Sequence, residues 1–258
     1  MQNTISLYMK LSISFLIIFF VIILNVNYSF SQSSSSVSTK IDIEWEPIES
    51  YTHPFYEGRA LSGEESDIKA VAVVEIETLA GKLDPKKLFY TWNYNGYYVH
   101  NFSKTGGDNI RFTLDQLQNT NTLEVKVFSN NRQEMLLGEK TIYIKPKQSL
   151  LIVYRSDANP ILMYANAINK KYEPYIVEKG ESLDVQVSPF FFSVSSPQGS
   201  TLNYLWSLNG ITSNTAKDVS FSYTVPNKIS KDRSIGIKVS NDKKLLQEGE
   251  SLVNLDIR

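Results

Sequence analysis

The chain has 258 residues, with 26 lysines and arginines against 27 aspartates and glutamates, two histidines and no cysteine. A net charge of −1 with scattered basic residues excludes a nucleic-acid footprint. The missing thiols exclude disulfides, thiolate chemistry, acylation at a lipobox cysteine and the common structural zinc sites.

In chain order, Lys10 precedes an uncharged apolar run of 14 residues, Leu11 to Leu24. That is shorter than the roughly 20 residues of a membrane-spanning helix and has the length of a secretory core segment. Ser29 and Ser31 supply small residues two apart, so cleavage is expected after Ser31, with residues 1–31 as signal peptide. Left uncleaved, the same segment is an anchor and the expected membrane contact. Either way, the folded part is expected outside the cytoplasm, in an extracellular, cell-surface or periplasmic-type space. Residues 32–39, Gln-Ser-Ser-Ser-Ser-Val-Ser-Thr, read as a flexible spacer.

After the spacer, short runs rich in Val, Ile, Tyr, Phe and Thr alternate with Asn, Gly, Ser and Asp turns. Strands are predicted at Ile68–Ile76, Leu88–Tyr94, Ile110–Leu114, Leu123–Asn130 and Thr141–Ile144. A second series follows at Leu150–Tyr154, Leu183–Val187, Leu202–Leu208, Val219–Tyr223, Ile235–Asn241 and Leu252–Ile257. No long amphipathic helical pattern occurs after residue 40. Aromatic residues make up 12% of the chain, enough to fill β-sandwich cores without disulfides. The expected fold is all-β: a first sandwich over residues 40–146 and a second over 147–258. Lys145-Pro146-Lys147 should form a short, stiff connection rather than a loose tether.

One phrase occurs in both halves. Leu88-Phe89-Tyr90-Thr91-Trp92-Asn93-Tyr94-Asn95-Gly96 returns as Leu202-Asn203-Tyr204-Leu205-Trp206-Ser207-Leu208-Asn209-Gly210, the tryptophans lying 114 residues apart. The shared Leu-x-Tyr-x-Trp-x-x-Asn-Gly, followed by strands in the same order, points to a tandem duplication. Trp92, Trp206, Tyr90 and Tyr204 are expected in the two cores, and each Asn-Gly pair in a tight turn that needs positive φ.

Chemistry-bearing residues are few. His53 and His100 stand alone, and no nucleophile elbow, zinc-binding His-Glu-x-x-His helix or phosphate loop occurs. Glu64, Glu65 and Asp67 form the densest acidic cluster, which lacks the oxygen density of a calcium loop and reads as solvated. No catalytic, metal or cofactor residue is therefore assigned. Tyr97 and Tyr98 crowd the hairpin after Trp92 and are the candidate contact for a protein partner or a glycan. Phe190-Phe191-Phe192 cannot all point inward from one flat strand, because side chains alternate faces; a bulge or a contact with the other half is expected.

Tyr90-x-Trp92-x-x-x-Gly96 and Tyr204-x-Trp206-x-x-x-Gly210, with their Val-x-Val-type closing strands, resemble PKD-like domains of the Ig-like β-sandwich group. The chain departs from that family's Trp-x-Phe-Gly-Asp-Gly: asparagine replaces the aspartate, and the first glycine is gone. It is also similar to two-domain exported bacterial proteins. The resemblance covers roughly residues 40–258 and brings no catalytic residues. It implies a non-catalytic exported or cell-envelope module for protein–protein interaction, adhesion or spacing. The alternatives are a carbohydrate-binding accessory module and an accessory subunit of a pilus or secretion apparatus.

Overall fold

The computed structural model describes residues 38–52, 60–130, 135–158, 165–170, 172–213, 218–228 and 233–258. The expected signal peptide, His53 and most of the Ser-rich spacer lie outside these residues. Among the described residues, eight strands form the first half: β1 (Ser38–Pro47), β2 (Asp67–Thr78), β3 (Gly81–Lys82), β4 (Phe89–Tyr94), β5 (Tyr97–Tyr98), β6 (Asn109–Thr113), β7 (Asn121–Phe128) and β8 (Leu136–Ile144). Eight more form the second: β9 (Leu150–Arg155), β10 (Tyr175–Val177), β11 (Ser182–Phe190), β12 (Leu202–Leu208), β13 (Ile211–Thr212), β14 (Ser220–Thr224), β15 (Arg233–Asn241) and β16 (Lys244–Ile257).

These strands build two tandem Ig-like β-sandwiches. In the first, β1 and β6 flank β2 in one sheet, and the order β5-β4-β7-β8 makes the other. In the second, β9-β11-β14 faces β10-β16-β15-β12-β13. Thus β1, β2 and β6 match β9, β11 and β14, while β4, β5, β7 and β8 match β12, β13, β15 and β16. Alternation drives the layering: β7 buries Leu123, Val125 and Val127, and β15 buries Ile235, Ile237 and Val239.

Each position of the repeated phrase has the same work in both sandwiches. Leu88 and Leu202 are buried. The Tyr90 hydroxyl donates to the Pro85 carbonyl and the Tyr204 hydroxyl to the Pro197 carbonyl. Burial pushes both phenols up, Tyr90 to about 12, so each is a neutral donor across the physiological range. Trp92 and Trp206 are wholly buried, and each indole N–H donates at 2.8 Å to a backbone carbonyl, of Gly107 and Asp218 respectively. Asn95 and Gly96 take φ of 50° and 82°, and Asn209 and Gly210 take 51° and 78°. These are two-residue turns of the primed type that suits right-handed strand twist. The Asn95 side-chain oxygen accepts from Thr122 N at 2.8 Å, and that of Asn209 accepts from Ser234 N at 3.0 Å, so the same amide ties each turn to the next strand.

The duplication runs deeper than the sequence reading found. Gly138 of β8 and Gly249 of β16 occupy matching positions, opposite Val127 and Val239. A Cβ on Gly138 would come within 2.8 Å of Ile41 and 3.0 Å of Thr39 on β1; one on Gly249 would come within 3.2 Å of Leu151 on β9. Glycine thins the last strand of each sandwich where the first strand crosses it. The ladder also slips near the same end of each pair, after Val127 in the first sandwich and one position later, after Ser240, in the second.

Two boundaries move. Ser38 and Thr39, expected in the spacer, pair with Glu77 and Ile76, because β2 extends to Thr78 and offers the ladder while Thr39 packs near Gly138. β16 begins at Lys244 rather than Leu252, its polar first half having hidden it, and β10 adds a parallel edge beside Leu255–Ile257.

Trp92→Ala and Trp206→Ala should each cost about 3–5 kcal/mol, the usual loss for a buried large aromatic, with the indole's carbonyl partner left unpaired besides. Denaturant unfolding followed by tyrosine fluorescence and circular dichroism checks this; wild-type midpoints in both variants would contradict the core placement.

Candidate interaction surfaces

Three places on the molecule gather polar or exposed apolar groups beyond what folding demands. The first is the junction of the two sandwiches, inside one compact unit, Val37–Arg258. Between β1 and β2, Tyr51 and the residues leading into β2 dock on the second sandwich. Tyr51 packs into the second core, its ring centroid 5.9 Å from that of Phe190, and its N–H donates to the Phe192 carbonyl at 3.1 Å. Lys147, just past Pro146, donates its N–H to the Ser62 carbonyl at 2.9 Å, so the short connection is pinned.

At the centre lies Gln247, wholly buried at an inward position of β16. Its amide nitrogen donates to the Glu64 carbonyl and to Ser193 Oγ, the latter at 2.8 Å. Its amide oxygen accepts from Ser193 N at 2.7 Å and from Asn241 Nδ2 at 3.0 Å. Both donors and both lone pairs are used. Around it, the Glu65 carboxylate accepts from Leu246 N at 2.8 Å, Ser66 Oγ meets Ser193 Oγ at 3.1 Å, and Lys244 pairs with Asp67 at 3.0 Å. The acidic cluster read as a solvated loop is therefore part of a joint, because the Glu65 and Asp67 carboxylates and the Glu64 carbonyl meet the start of β16. The Phe triplet belongs here too. Phe191 takes φ of +66°, which interrupts strand alternation, so Phe192 enters the second core while Phe190 is buried in a separate cluster with Tyr154. The Phe191 carbonyl then lies where a Cβ on Gly63 would stand, 1.9 Å away, so only glycine allows this approach.

The second place is the outer face of β5-β4-β7-β8. Tyr98 pairs with Asn93, Glu124 lies beside Asn93 and Thr141 beyond it; one row on, Tyr143 pairs with Thr122. Tyr98 is 48% exposed and Tyr143 72%. Asn93 Nδ2 donates to Glu124 at 2.6 Å, and Lys126 bridges Glu124 and Glu139 at 3.4 and 3.5 Å. Tyr97 pairs with Tyr94, which leans toward the core, so it sits on the opposite side of the hairpin from Tyr98 despite its 79% exposure. The two tyrosines named together by the sequence thus do not share a face. His100 packs edge-on against Tyr98, 5.5 Å between centroids, and steadies that ring.

The third is the matching face of β13-β12-β15-β16. Gly236 stands where the first sandwich has Glu124, Leu252 replaces Thr141, Leu205 replaces Thr91 and Thr212 replaces Tyr98. These residues, with Ser207, line a depression of about 490 Å³, in which Leu205 is 44% and Leu252 53% exposed. Lys238 and Glu250 keep the ion pair of Lys126 and Glu139, at 3.3 Å. A cleft of about 430 Å³ beside Arg155 offers no free charge, since that guanidinium is held by Asp157, Glu181 and Tyr175. Among the described residues, no group of three or more His, Asp or Glu could hold a metal ion.

Sequence reasoning missed Gln247, Gly63, the companion of Tyr98 across its sheet and the face around Gly236. A signal for the first was present: glutamine falls on the inward parity of a strand that otherwise buries Val253 and Leu255.

No protein-family model matches the sequence, and no curated protein matches it. Among solved structures, the chain is similar to three N-terminal domains of the highly immunogenic outer capsid protein of bacteriophage RB49, with 11% identity and a TM-score of 0.44, over 85% of this chain and 59% of that one. Immunoglobulin domains 1–5 of Sidekick-1 match at 9% identity and 0.28, over 88% and 41%. The FN1–FN3 domains of chicken CNTN1 match at 10% and 0.27, over 77% and 65%. The chain thus spans less than two thirds of each. At such scores the fold assignment rests on the strand order itself.

Replacing Gln247 by leucine strands several buried polar groups at the joint, each worth about 1–3 kcal/mol. Wild type should unfold in one calorimetric transition and Gln247→Leu in two; two transitions in wild type would mean the joint does not couple the sandwiches. Burial works against the Asp67 charge, but hydrogen bonds from Thr113 and Lys244 outweigh it and hold the carboxyl below its ordinary 3.8. Its contribution is therefore present at neutral pH and lost as pH falls through that lowered value. Asp67→Asn should lose the corresponding step in an acid titration of melting temperature.

Proposed function

We propose that the chain is an exported, non-catalytic, PKD-like module of the cell envelope whose second sandwich docks a protein partner. Export is supported by the apolar run Leu11–Leu24 followed by Ser29-x-Ser31. The absence of any motif or clustered set of catalytic side chains in the sequence supports the non-catalytic reading.

The observation that carries the proposal is the face around Gly236. Glycine inside a strand weakens it and often marks a close approach; here Ser207 Oγ lies 2.5 Å from where a Cβ would stand, so glycine keeps the floor of this face low. The register of β15 runs unbroken through Gly236 on both sides. Two exposed leucines then wall the gap, the arrangement that accepts an apolar side chain from a partner, with the Lys238–Glu250 pair as polar rim.

A photo-crosslinking residue at position 252 should give one discrete protein adduct in the envelope of the source cell. Leu205→Arg, at a 44% exposed position of the same face and in a chain carrying the same crosslinker, should abolish that adduct and keep the melting temperature within a few degrees. Absence of any adduct, or enzymatic turnover by the purified chain that a single substitution abolishes, would overturn the proposal.

A further inference from the structure

We propose that the outer face of β5-β4-β7-β8 is a second, separate binding site, and that it takes a neutral oligosaccharide. This goes beyond the docking face on the second sandwich and uses none of its residues.

The two sandwiches act as controls for each other. Where the frame demands a residue, they agree: the indoles, the tyrosine hydroxyls, the Asn-Gly turns, the thinning glycines and the Lys–Glu pair on the outer face. On the remaining outer positions they part. Tyr98, Asn93, Glu124, Thr141 and Tyr143 stand opposite Thr212, Ser207, Gly236, Leu252 and Asn254. The second sandwich folds with small polar residues, a glycine and a leucine there, so the fold does not require tyrosines or a carboxylate at these places.

The first set has the chemistry of a sugar site. Tyr98 and Tyr143 sit on the outermost strands of a four-stranded sheet, three strand spacings apart, which is about 14 Å across the sheet. That is the reach of a short linear oligosaccharide. A pyranose ring offers a C–H face that stacks on a phenol ring and hydroxyls that need donors and acceptors at its edge. Between the two rings, Asn93 and Glu124 are already oriented by their 2.6 Å hydrogen bond, and the carboxylate retains lone pairs for hydroxyls.

Charge sets the class of sugar. Glu124 and Glu139 share the single Lys126, so the face carries residual negative charge and disfavours uronic, sialylated or sulfated chains. A protein interface is the poorer fit. The floor between the tyrosines has no aliphatic anchor, and burying the Lys126 ion pairs costs desolvation without apolar gain.

The test measures binding of the full mature chain to cellohexaose, xylohexaose and mannohexaose and to their disaccharides by calorimetry. At least one hexaose should bind, and its disaccharide, which reaches one ring only, should bind at least tenfold more weakly. Tyr98→Ala and Tyr143→Ala should each weaken the hexaose about fivefold to tenfold, the loss of one stacked ring, without lowering the melting temperature. Tyr97→Ala, on the other side of the hairpin, and Leu252→Ala, on the other sandwich, should leave it unchanged. Absence of binding to every hexaose would overturn the proposal. So would binding indifferent to Tyr98 and Tyr143, or a protein held through these two tyrosines and not displaced by sugar. Loss of the position-252 adduct would bear only on the docking face.

Discussion

The carboxamide of Gln247 is the interaction on which the arrangement of the molecule depends. It is shut away from water, and all four of its hydrogen-bonding positions are filled, one of them by the backbone of the opposite sandwich. A buried amide tolerates little displacement, because a shift that breaks any one bond exposes a polar group to a low-dielectric interior without a substitute. Apolar surfaces can slide and remain buried, but this one has a single registration. Close approach of Gly63 to the Phe191 carbonyl adds a steric stop to the electrostatic one. The two sandwiches are thereby a coupled pair, and the start of β16 that carries Gln247 belongs to both.

Within each sandwich a different constraint operates. A strand that begins with a buried leucine, crosses the core with Tyr and Trp and ends in Asn-Gly satisfies its own polar atoms as it goes. The phenol and indole each find a backbone carbonyl, and the asparagine amide closes the ladder to the neighbouring strand. Such self-sufficiency explains how the phrase survives beside residues that diverged freely. The same frame then presents two unlike surfaces, one aromatic and hydrogen-bonding, the other notched and aliphatic.

The cores and the turns were legible in the amino-acid order because they depend on local alternation and on φ values that few residues adopt. Trp92, Trp206 and both Asn-Gly pairs needed no knowledge of distant partners. The joint was not legible, because Gln247 and Glu64 meet across 183 residues and neither belongs to a motif. The outer face was half legible. Adjacent Tyr97 and Tyr98 looked like a pair, yet a two-residue strand sends them to opposite sides, and the proper companion of Tyr98 is Tyr143, three strands away. Parity within a strand can be read from sequence; the neighbour across the sheet requires the register.

The Asn-Gly turns carry a chemical liability as well as a conformational advantage. Asparagine followed by glycine is the dipeptide most open to cyclisation, in which the glycine nitrogen attacks the side-chain carbonyl, ammonia leaves, and hydrolysis returns aspartate or its isomer. In this molecule the Asn95 amide is engaged at both ends, accepting from Thr122 and donating to Asn121, while Asn209 is held through its oxygen by Ser234. Each amide is thus held away from the rotation that attack needs. The bonds that close the hairpins also slow the chain's chemical ageing, and the more fully tethered Asn95 turn is the one beside the tyrosine face.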